Sequence, residues 1–214
     1  MRIGILGSGL MGGKLGTLFA RSGHEVAFSY SRRHATLVAL AREAEGNARA
    51  GTPHEAALHA DALLFAVHWS RVADVLEQAG DLSGKVLITC SLPMDRDNTT
   101  LVIGGTTSGA EELARTLPTT RVVSAFNTIP SEVLFGVFAA RRRTPRPGLV
   151  YCGDDPDSKD LAARLIRDVG FDPVDAGPLR IARYTEPFGL LMGELAYEGG
   201  EGPDLGYRFE HFPS

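Results

Sequence analysis

The chain has 214 residues, of which 43% are hydrophobic and 22% charged, as is ordinary for a soluble globular protein. Its net charge of -4 argues against a protein that binds the nucleic-acid backbone, since such proteins are normally basic. Two cysteines cannot make a disulfide framework, and no apolar run reaches the roughly 18 residues of a membrane span. Because the N-terminus starts as a strand and not as a signal peptide, we expect a cytoplasmic protein without membrane or nucleic-acid partners.

Short apolar runs alternate with helix-like segments along the chain. This alternation predicts crossover units and an α/β fold with a doubly wound, mostly parallel sheet and a small C-terminal extension. No linker divides the chain, so we expect residues 1–214 to form one domain whose C-terminal helical segment, from about residue 175, closes a cleft. We predict strands over residues 2–6, 25–30, 61–68, 85–90, 121–126, 149–152 and 172–174, and helices over residues 12–22, 35–44, 54–60, 72–78, 110–117, 131–138, 158–169 and 180–197.

A glycine-rich turn, GSGLMG, follows the first predicted strand and opens the first helix. Gly7 permits the tight turn, Gly9 lets the backbone approach a pyrophosphate, and Gly12 allows close packing of helix and strand. Free N–H groups at the helix N-terminus favour the phosphates. The alternative is a glycine turn without a ligand. In this context the motif predicts a Rossmann-type dinucleotide site formed by Gly7, Ser8, Gly9, Leu10, Met11 and Gly12.

The residues after the second strand indicate which dinucleotide binds. A site for NAD normally carries an acidic residue there, about 20 residues beyond the glycine turn, which binds the ribose hydroxyls. This chain has Ser31, Arg32 and Arg33 instead. Guanidinium groups form paired, charge-assisted bonds with phosphate, so the segment predicts NADP(H). The alternative is that the two arginines are solvated residues at a helix start.

Polar and aromatic side chains follow other strands, at the edge where ligands of open α/β sheets bind. His68 is a candidate contact to the nicotinamide ribose or the second substrate, or a structural histidine. Trp69 is a candidate wall for a flat ring, or a packing residue. Asn127 is a candidate ligand contact, or stabilises a turn. No hydrolytic motif or metal-ligand cluster is evident, and the acidic residues at 154–157 are predicted to cap the following helix.

Five segments are landmarks of the chain, and the last three are distinctive: GSGLMG, SRR, VVSAFNTIP at 122–130, YCGDDPDSK at 151–159 and DAGPL at 175–179. Over nearly the whole chain they resemble the deazaflavin (coenzyme F-420)-dependent NADP oxidoreductase family and its flavin-using and metalloreductase relatives. The resemblance implies hydride exchange between NADP(H) and a deazaflavin, FMN or FAD. Two alternatives stay open, namely an NADPH:flavin or ferric reductase and a dinucleotide-binding sensor without turnover.

The resemblance also implies roles for individual residues. The glycine turn would hold the pyrophosphate and the SRR segment the 2′-phosphate. In the archaeal deazaflavin enzymes a histidine stands at the place of Asn127, so the acceptor half is less similar than the NADPH half. No catalytic residue is assigned, because hydride transfer between stacked rings depends mainly on proximity and orientation. The ribose and nicotinamide would contact Val67, His68, Ser91 and Asn127, and we expect the acceptor ring near Trp69, Asn127, Pro178 and Glu186.

The C-terminal part of the chain carries much apolar surface for a segment that usually frays. Together with the resemblance, this surface predicts a homodimer. The alternative is that these side chains all pack on the chain's own sheet. They are Leu190, Leu191, Met192, Leu195, Tyr197, Tyr207, Phe209 and Phe212.

Overall fold

One sheet organises the protein, which is represented by a computed structural model that describes residues 1–210 and 212. Within these residues the sheet has eight strands, one more than the sequence predicts. The additional strand, Ala48–Ala50, has three residues and none that is β-branched or aromatic, so it gives no periodic signal. The strands are β1 (Arg2–Leu6), β2 (Glu25–Ser29), β3 (Ala48–Ala50), β4 (Ala62–Phe65), β5 (Val86–Thr89), β6 (Arg121–Ala125), β7 (Gly148–Gly153) and β8 (Asp172–Asp175).

The strands are arranged in the order β3-β2-β1-β4-β5-β6-β7-β8, and every pair is parallel except β6 with β7. The chain builds the sheet outward in one direction from β1 to β3 and in the other direction from β4 onward. This is the doubly wound, mostly parallel α/β arrangement that the alternating pattern predicts. The order reverses between β1 and β4, and such a reversal opens a crevice at the carboxyl ends of these two strands.

Helices cover both faces of the sheet, which explains why its central strands are apolar throughout. The helices are α1 (Leu10–Arg21), α2 (His34–Glu43), α3 (Pro53–Leu58), α4 (Val72–Ala79), α5 (Gly109–Thr116), α6 (Val133–Ala139), α7 (Pro156–Asp168) and α8 (Ala182–Tyr197). One face packs against α1, α2, α6 and α7, and the other packs against α3, α4, α5 and the start of α8. None of these helices is long and apolar enough to cross a membrane.

Several helices begin at a residue whose side chain caps the helix N-terminus. Asp155 accepts a hydrogen bond from the backbone N–H of Ser158 (2.9 Å), so the acidic segment caps α7 as predicted. Thr52 and Glu55 form a reciprocal capping box at the start of α3. These caps satisfy backbone N–H groups that a helix cannot pair internally, and they fix where each helix starts.

The direction of β7 corrects one expectation about the site. Because β7 is antiparallel to β6 and parallel to β8, both strands end at the edge of the sheet opposite the carboxyl ends of β1 to β6. The backbone N–H of Gly153 bonds to the carbonyl of Gly177 (3.1 Å), which holds the DAGPL segment at that opposite edge. The prediction that Pro178 lies beside the cleft at the carboxyl edge is therefore wrong.

Candidate functional site

A cleft of about 1170 Å³ opens at the carboxyl ends of β1 and β4, where the strand order reverses. Four segments form its walls: the glycine turn after β1, the segment after β2, the segment after β4 and the loop after β5. Ligands of doubly wound sheets bind at this position. The lining residues are Gly7, Ser8, Gly9, Tyr30, Ser31, Arg32, Arg33, Thr36, Ala66, Val67, His68, Ser70, Arg71, Arg96 and Asn98.

The three glycines of the turn have different structural requirements. Gly7 has a φ of 109°, and a Cβ there would lie 2.3 Å from the carbonyl oxygen of Ala66. A Cβ on Gly12 would lie 1.9 Å from the carbonyl oxygen of Gly7. Gly9, by contrast, has no atom within 4 Å of the place of its Cβ. The fold therefore requires glycine at positions 7 and 12, whereas at position 9 the protein itself leaves room for a side chain.

The turn presents backbone N–H groups more than side chains. The hydroxyl of Ser8 donates to the carbonyl of Ser29 (2.8 Å), and its N–H donates to the carbonyl of Tyr30 (3.2 Å), so Ser8 shapes the turn. The first backbone bond of α1 runs from Gly13 N–H to Gly9 O (2.8 Å). Helix geometry leaves the N–H groups before Gly13 available, and such groups bind anions. Leu10, Met11 and Gly12 are not among the lining residues of the cleft, and the Leu10 side chain is exposed.

Tyr30 directs the segment after β2 toward the cleft. Its φ of 56° is in the left-handed region, which turns the chain directly after β2. The Tyr30 hydroxyl donates to Asp74 on α4, and burial together with this bond raises the pKa of Tyr30 to about 12. Ser31, Arg32 and Arg33 follow this fixed residue and line the cleft as the sequence predicts.

The cleft is strongly positive although the chain as a whole carries a net charge of -4. Its walls carry the four guanidinium groups of Arg32, Arg33, Arg71 and Arg96, and no aspartate or glutamate lines it. Within residues 1–210 and 212, none of these four arginines forms an ion pair. Charges of one sign in a cleft attract a ligand of the opposite sign. Sequence patterns do not predict Arg71 and Arg96 as cleft residues, because each follows a different strand and belongs to no motif.

His68 connects two walls of the cleft. Its Nε2–H donates to the carbonyl of Asp95 (2.9 Å), while Nδ1 accepts from the N–H of Ser70 (3.2 Å). Ser91, which does not line the cleft, accepts a hydrogen bond from the N–H of Val67 through its hydroxyl (3.1 Å). The ring of His68 thus holds the loop after β5, and Ser91 holds the cleft residue Val67 in place.

The residues expected at the acceptor ring lie apart from the cleft wall. Asn127 follows β6 and is buried; its Nδ2 donates to the Ser124 hydroxyl (3.3 Å), while its Oδ1 has no partner among the described residues. Its backbone oxygen lies against Gly189 of α8, where a Cβ would approach it to 2.4 Å. Trp69, which follows His68, is partly buried and does not line the cleft either.

Glu186 lies inside the protein, where only 1% of its surface is exposed. Its two carboxylate oxygens accept hydrogen bonds from the backbone N–H groups of Gly109 (2.8 Å) and Ala110 (2.9 Å) at the start of α5. Because the residue is almost fully buried and its carboxylate binds the backbone of α5, it presents no surface to a bound ring. The expected direct contact with the acceptor is therefore corrected to a contact between two helices.

The comparisons with known proteins agree with the fold. Residues 2–93, which contain β1 to β5, match the family model described as NADP oxidoreductase, coenzyme F420-dependent. Metalloreductase STEAP3 of Rattus norvegicus is 30% identical over 194 residues, which are 89% of this chain and 37% of that protein. The chain therefore spans little more than a third of this relative.

Solved structures show the same fold. A candidate F420-dependent NADP reductase of Arthrobacter sp. FB24 is 24% identical to this chain, with a TM-score of 0.86. The match covers 99% of this chain and 100% of that reductase. The hypothetical protein SMa0349 of Sinorhizobium meliloti is 28% identical with a TM-score of 0.73 and covers 85% and 88%. A reductive aminase of Aspergillus terreus, solved with NADPH, has a TM-score of 0.67 at 19% identity and covers 93% and 63%, which shows the fold alone. The resemblance seen in the sequence is thus confirmed over residues 2–93, which match the model of the coenzyme F420-dependent NADP oxidoreductase family.

Proposed function

We propose that the chain is an oxidoreductase that exchanges a hydride between NADP(H) and a deazaflavin such as F-420, or a flavin such as FMN or FAD. One observation carries the proposal: the cleft at the switch point has four arginines on its walls and no acidic residue. NADP(H) carries a pyrophosphate and a 2′-phosphate, so its charge complements this cleft. The family of residues 2–93 supports the same assignment.

The residues of the cleft suit the separate parts of the dinucleotide. The backbone around Gly9 and the first turn of α1 would hold the pyrophosphate. Ser31, Arg32 and Arg33 would hold the 2′-phosphate through charge-assisted bonds. Val67 and His68 line the other wall and would face the ribose and nicotinamide, with Ser91 supporting Val67 from behind. The bound nicotinamide supplies the hydride, and the protein contributes orientation and exclusion of water.

The acceptor site is proposed beside this cleft, around Asn127 and Trp69. The unpartnered Oδ1 of Asn127 supports this location, because a buried polar atom normally has a hydrogen-bond partner. A second candidate function, an NADPH:flavin or ferric reductase, is favoured by the 30% identity with a metalloreductase over most of this chain. A dinucleotide-binding sensor without turnover is the remaining alternative.

Binding and turnover measurements on the unmodified protein test this function. We expect calorimetry to give tighter binding of NADPH than of NADH, and we expect NADPH oxidation to depend on added F-420, FMN or FAD. Equal or tighter binding of NADH would contradict the cofactor assignment. NADPH binding without turnover of any acceptor, ferric iron included, would favour a sensor.

Replacing Asn127 by alanine is expected to weaken acceptor use and to leave NADPH affinity within about threefold, or ~0.65 kcal/mol. The side chain can donate and accept hydrogen bonds but does not change charge near neutral pH, so the loss should not depend on pH. Steady-state assays with F-420, FMN and FAD measure the effect. Ser124→Ala is the matched control, because it removes only the partner of Nδ2. A variant that loses NADPH binding, or uses every acceptor normally, would place Asn127 elsewhere.

We propose that the protein is a homodimer that pairs through α8. Tyr184, Leu191 and Leu195 are exposed and lie on one face of this helix, seven and four residues apart. Met192, in contrast, is buried on the chain's own core. Light scattering should give about twice the 22.9 kDa of one chain. Leu191→Glu, which puts a charge on the exposed face, should give the monomer, and a monomeric unmodified protein at micromolar concentration would rule out the dimer.

A further inference from the structure

The buried carboxylate of Glu186 lies at the centre of a chain of contacts between the C-terminal helix and the cleft. Glu186 is on α8, and both its oxygens bind the N-terminus of α5, at Gly109 and Ala110. A second carboxylate braces the same end: Glu111 receives three hydrogen bonds from Arg183 of α8, at 2.7 to 3.2 Å. The first turn of α5 is thus held to α8 at two points.

The N-terminus of α5 in turn supports the wall of the cleft. Gly109 packs so closely that a Cβ on it would lie 3.1 Å from Cζ3 of Trp69 and 3.1 Å from Cδ of Pro93. A displacement of the α5 N-terminus by even a fraction of an ångström therefore changes the position of the Trp69 ring or of Pro93. Densely packed side chains transmit such shifts because no free volume absorbs them.

Trp69 and Pro93 are each close in the chain to residues that line the cleft. Trp69 directly follows His68, and Pro93 lies three residues before Arg96 in the loop after β5. The bond from His68 Nε2 to the carbonyl of Asp95 (2.9 Å) joins these two segments. A single support under Trp69 and Pro93 therefore acts on both walls.

We propose that Glu186 is a positioning residue: through the N-terminus of α5 it holds Trp69 and Pro93 in place, and these two residues support the walls of the cofactor cleft from behind. The proposal rests on the proposed NADP(H) function for its effect on binding, but the contact with Trp69 does not depend on that function. It gives Glu186 a role through other residues, in place of the direct contact with the acceptor that its sequence position indicates.

The charge state of Glu186 offers a way to perturb this support without a mutation. Burial raises the pKa of Glu186 to about 7, against the lowering by the two backbone N–H bonds. In the unfolded chain the group titrates near 4.5, so between these values the folded protein keeps a proton that the unfolded chain has lost. The protonated Glu186 carboxyl therefore contributes fully to the stability of the fold below about pH 4.5, and this contribution is lost as the pH rises through about 7. The ionisable groups on the packed elements are Glu111 on α5, Arg183 on α8 and Cys152 on β7.

Trp69 is the only tryptophan of the chain, so the tryptophan fluorescence of the protein reports on the surroundings of this one residue. We expect the emission of the unmodified protein to shift with an apparent pKa of about 7, in line with the pKa of Glu186. Glu186→Gln should abolish that titration. Glu194→Gln, at an exposed position of the same helix, is the matched control and should keep it. The dissociation constant of NADPH should rise at least about fivefold in Glu186→Gln, since small misplacements of binding groups are costly.

A second variant perturbs the same contact and leaves the Glu186 side chain unchanged. Gly109→Ala pushes against Trp69 and Pro93, and it should shift the Trp69 emission and weaken NADPH binding while keeping the pH titration. The inference is overturned if Glu186→Gln leaves the Trp69 titration or the NADPH affinity unchanged. Failure of the proposed function is distinguishable, because the unmodified protein would then not bind NADPH while its Trp69 emission still titrated with Glu186.

Discussion

Replacing Gly9 by alanine is expected to remove dinucleotide binding and to leave the protein folded. The backbone at Gly9 has φ −80° and ψ −155°, which alanine adopts without strain, and nothing lies within 4 Å of its Cβ. A methyl group there would occupy the space through which a pyrophosphate approaches the backbone. We expect calorimetry to show at least about 100-fold weaker binding of both NADPH and NADH, or ~2.7 kcal/mol. Thermal unfolding should show a free energy within about 1 kcal/mol of the unmodified protein.

Gly12→Ala is the matched control, because it should fail in the opposite way. Its Cβ would lie 1.9 Å from the carbonyl oxygen of Gly7, so the turn and α1 must separate. We expect a loss of stability of several kcal/mol, as for other strained core positions. Gly9→Ala with normal cofactor affinity would mean that no pyrophosphate lies over this turn, and Gly9→Ala that unfolds would contradict the open space at position 9.

Replacing Arg32 and Arg33 together by alanine is expected to remove the preference for NADPH. Each charge-assisted bond to the 2′-phosphate should contribute roughly 1–3 kcal/mol, so NADPH binding should weaken at least about 30-fold. NADH lacks that phosphate, and its affinity should change by less than about threefold. Titration of both cofactors into both proteins measures the two changes separately.

Arg164→Ala is the control for the general loss of positive charge, since this arginine is exposed on α7 and does not line the cleft. It should leave both affinities unchanged. A double variant that loses NADH and NADPH equally would show that the two arginines act on the pyrophosphate or on the fold. A double variant that still prefers NADPH to NADH would indicate that the other two arginines of the cleft, Arg71 and Arg96, bind the 2′-phosphate.

The sequence by itself determined the fold class and most of the segments that meet at the cleft. The glycine turn, the SRR segment and the residues Val67 and His68 each follow directly on an apolar strand, and parallel strands bring their carboxyl ends to one edge. Once the strands were recognised, contiguous motifs at their ends therefore had to meet. The helix starts are also local, because caps such as Asp155 act within a few residues.

Only the tertiary structure decided which residues outside these segments reach the cleft and which do not. A strand's residue pattern does not state its direction in a sheet, and the antiparallel pairing of β7 moves Pro178 to the edge away from the cleft. Arg71 and Arg96 join the cleft from the ends of two separate strands, β4 and β5, which local patterns do not relate. The sequence predicts Glu186 beside the acceptor ring, yet this residue is buried and receives two N–H bonds from the N-terminus of α5. Contacts between residues this far apart in the chain form only when the helices and strands pack together, so local sequence patterns do not predict them.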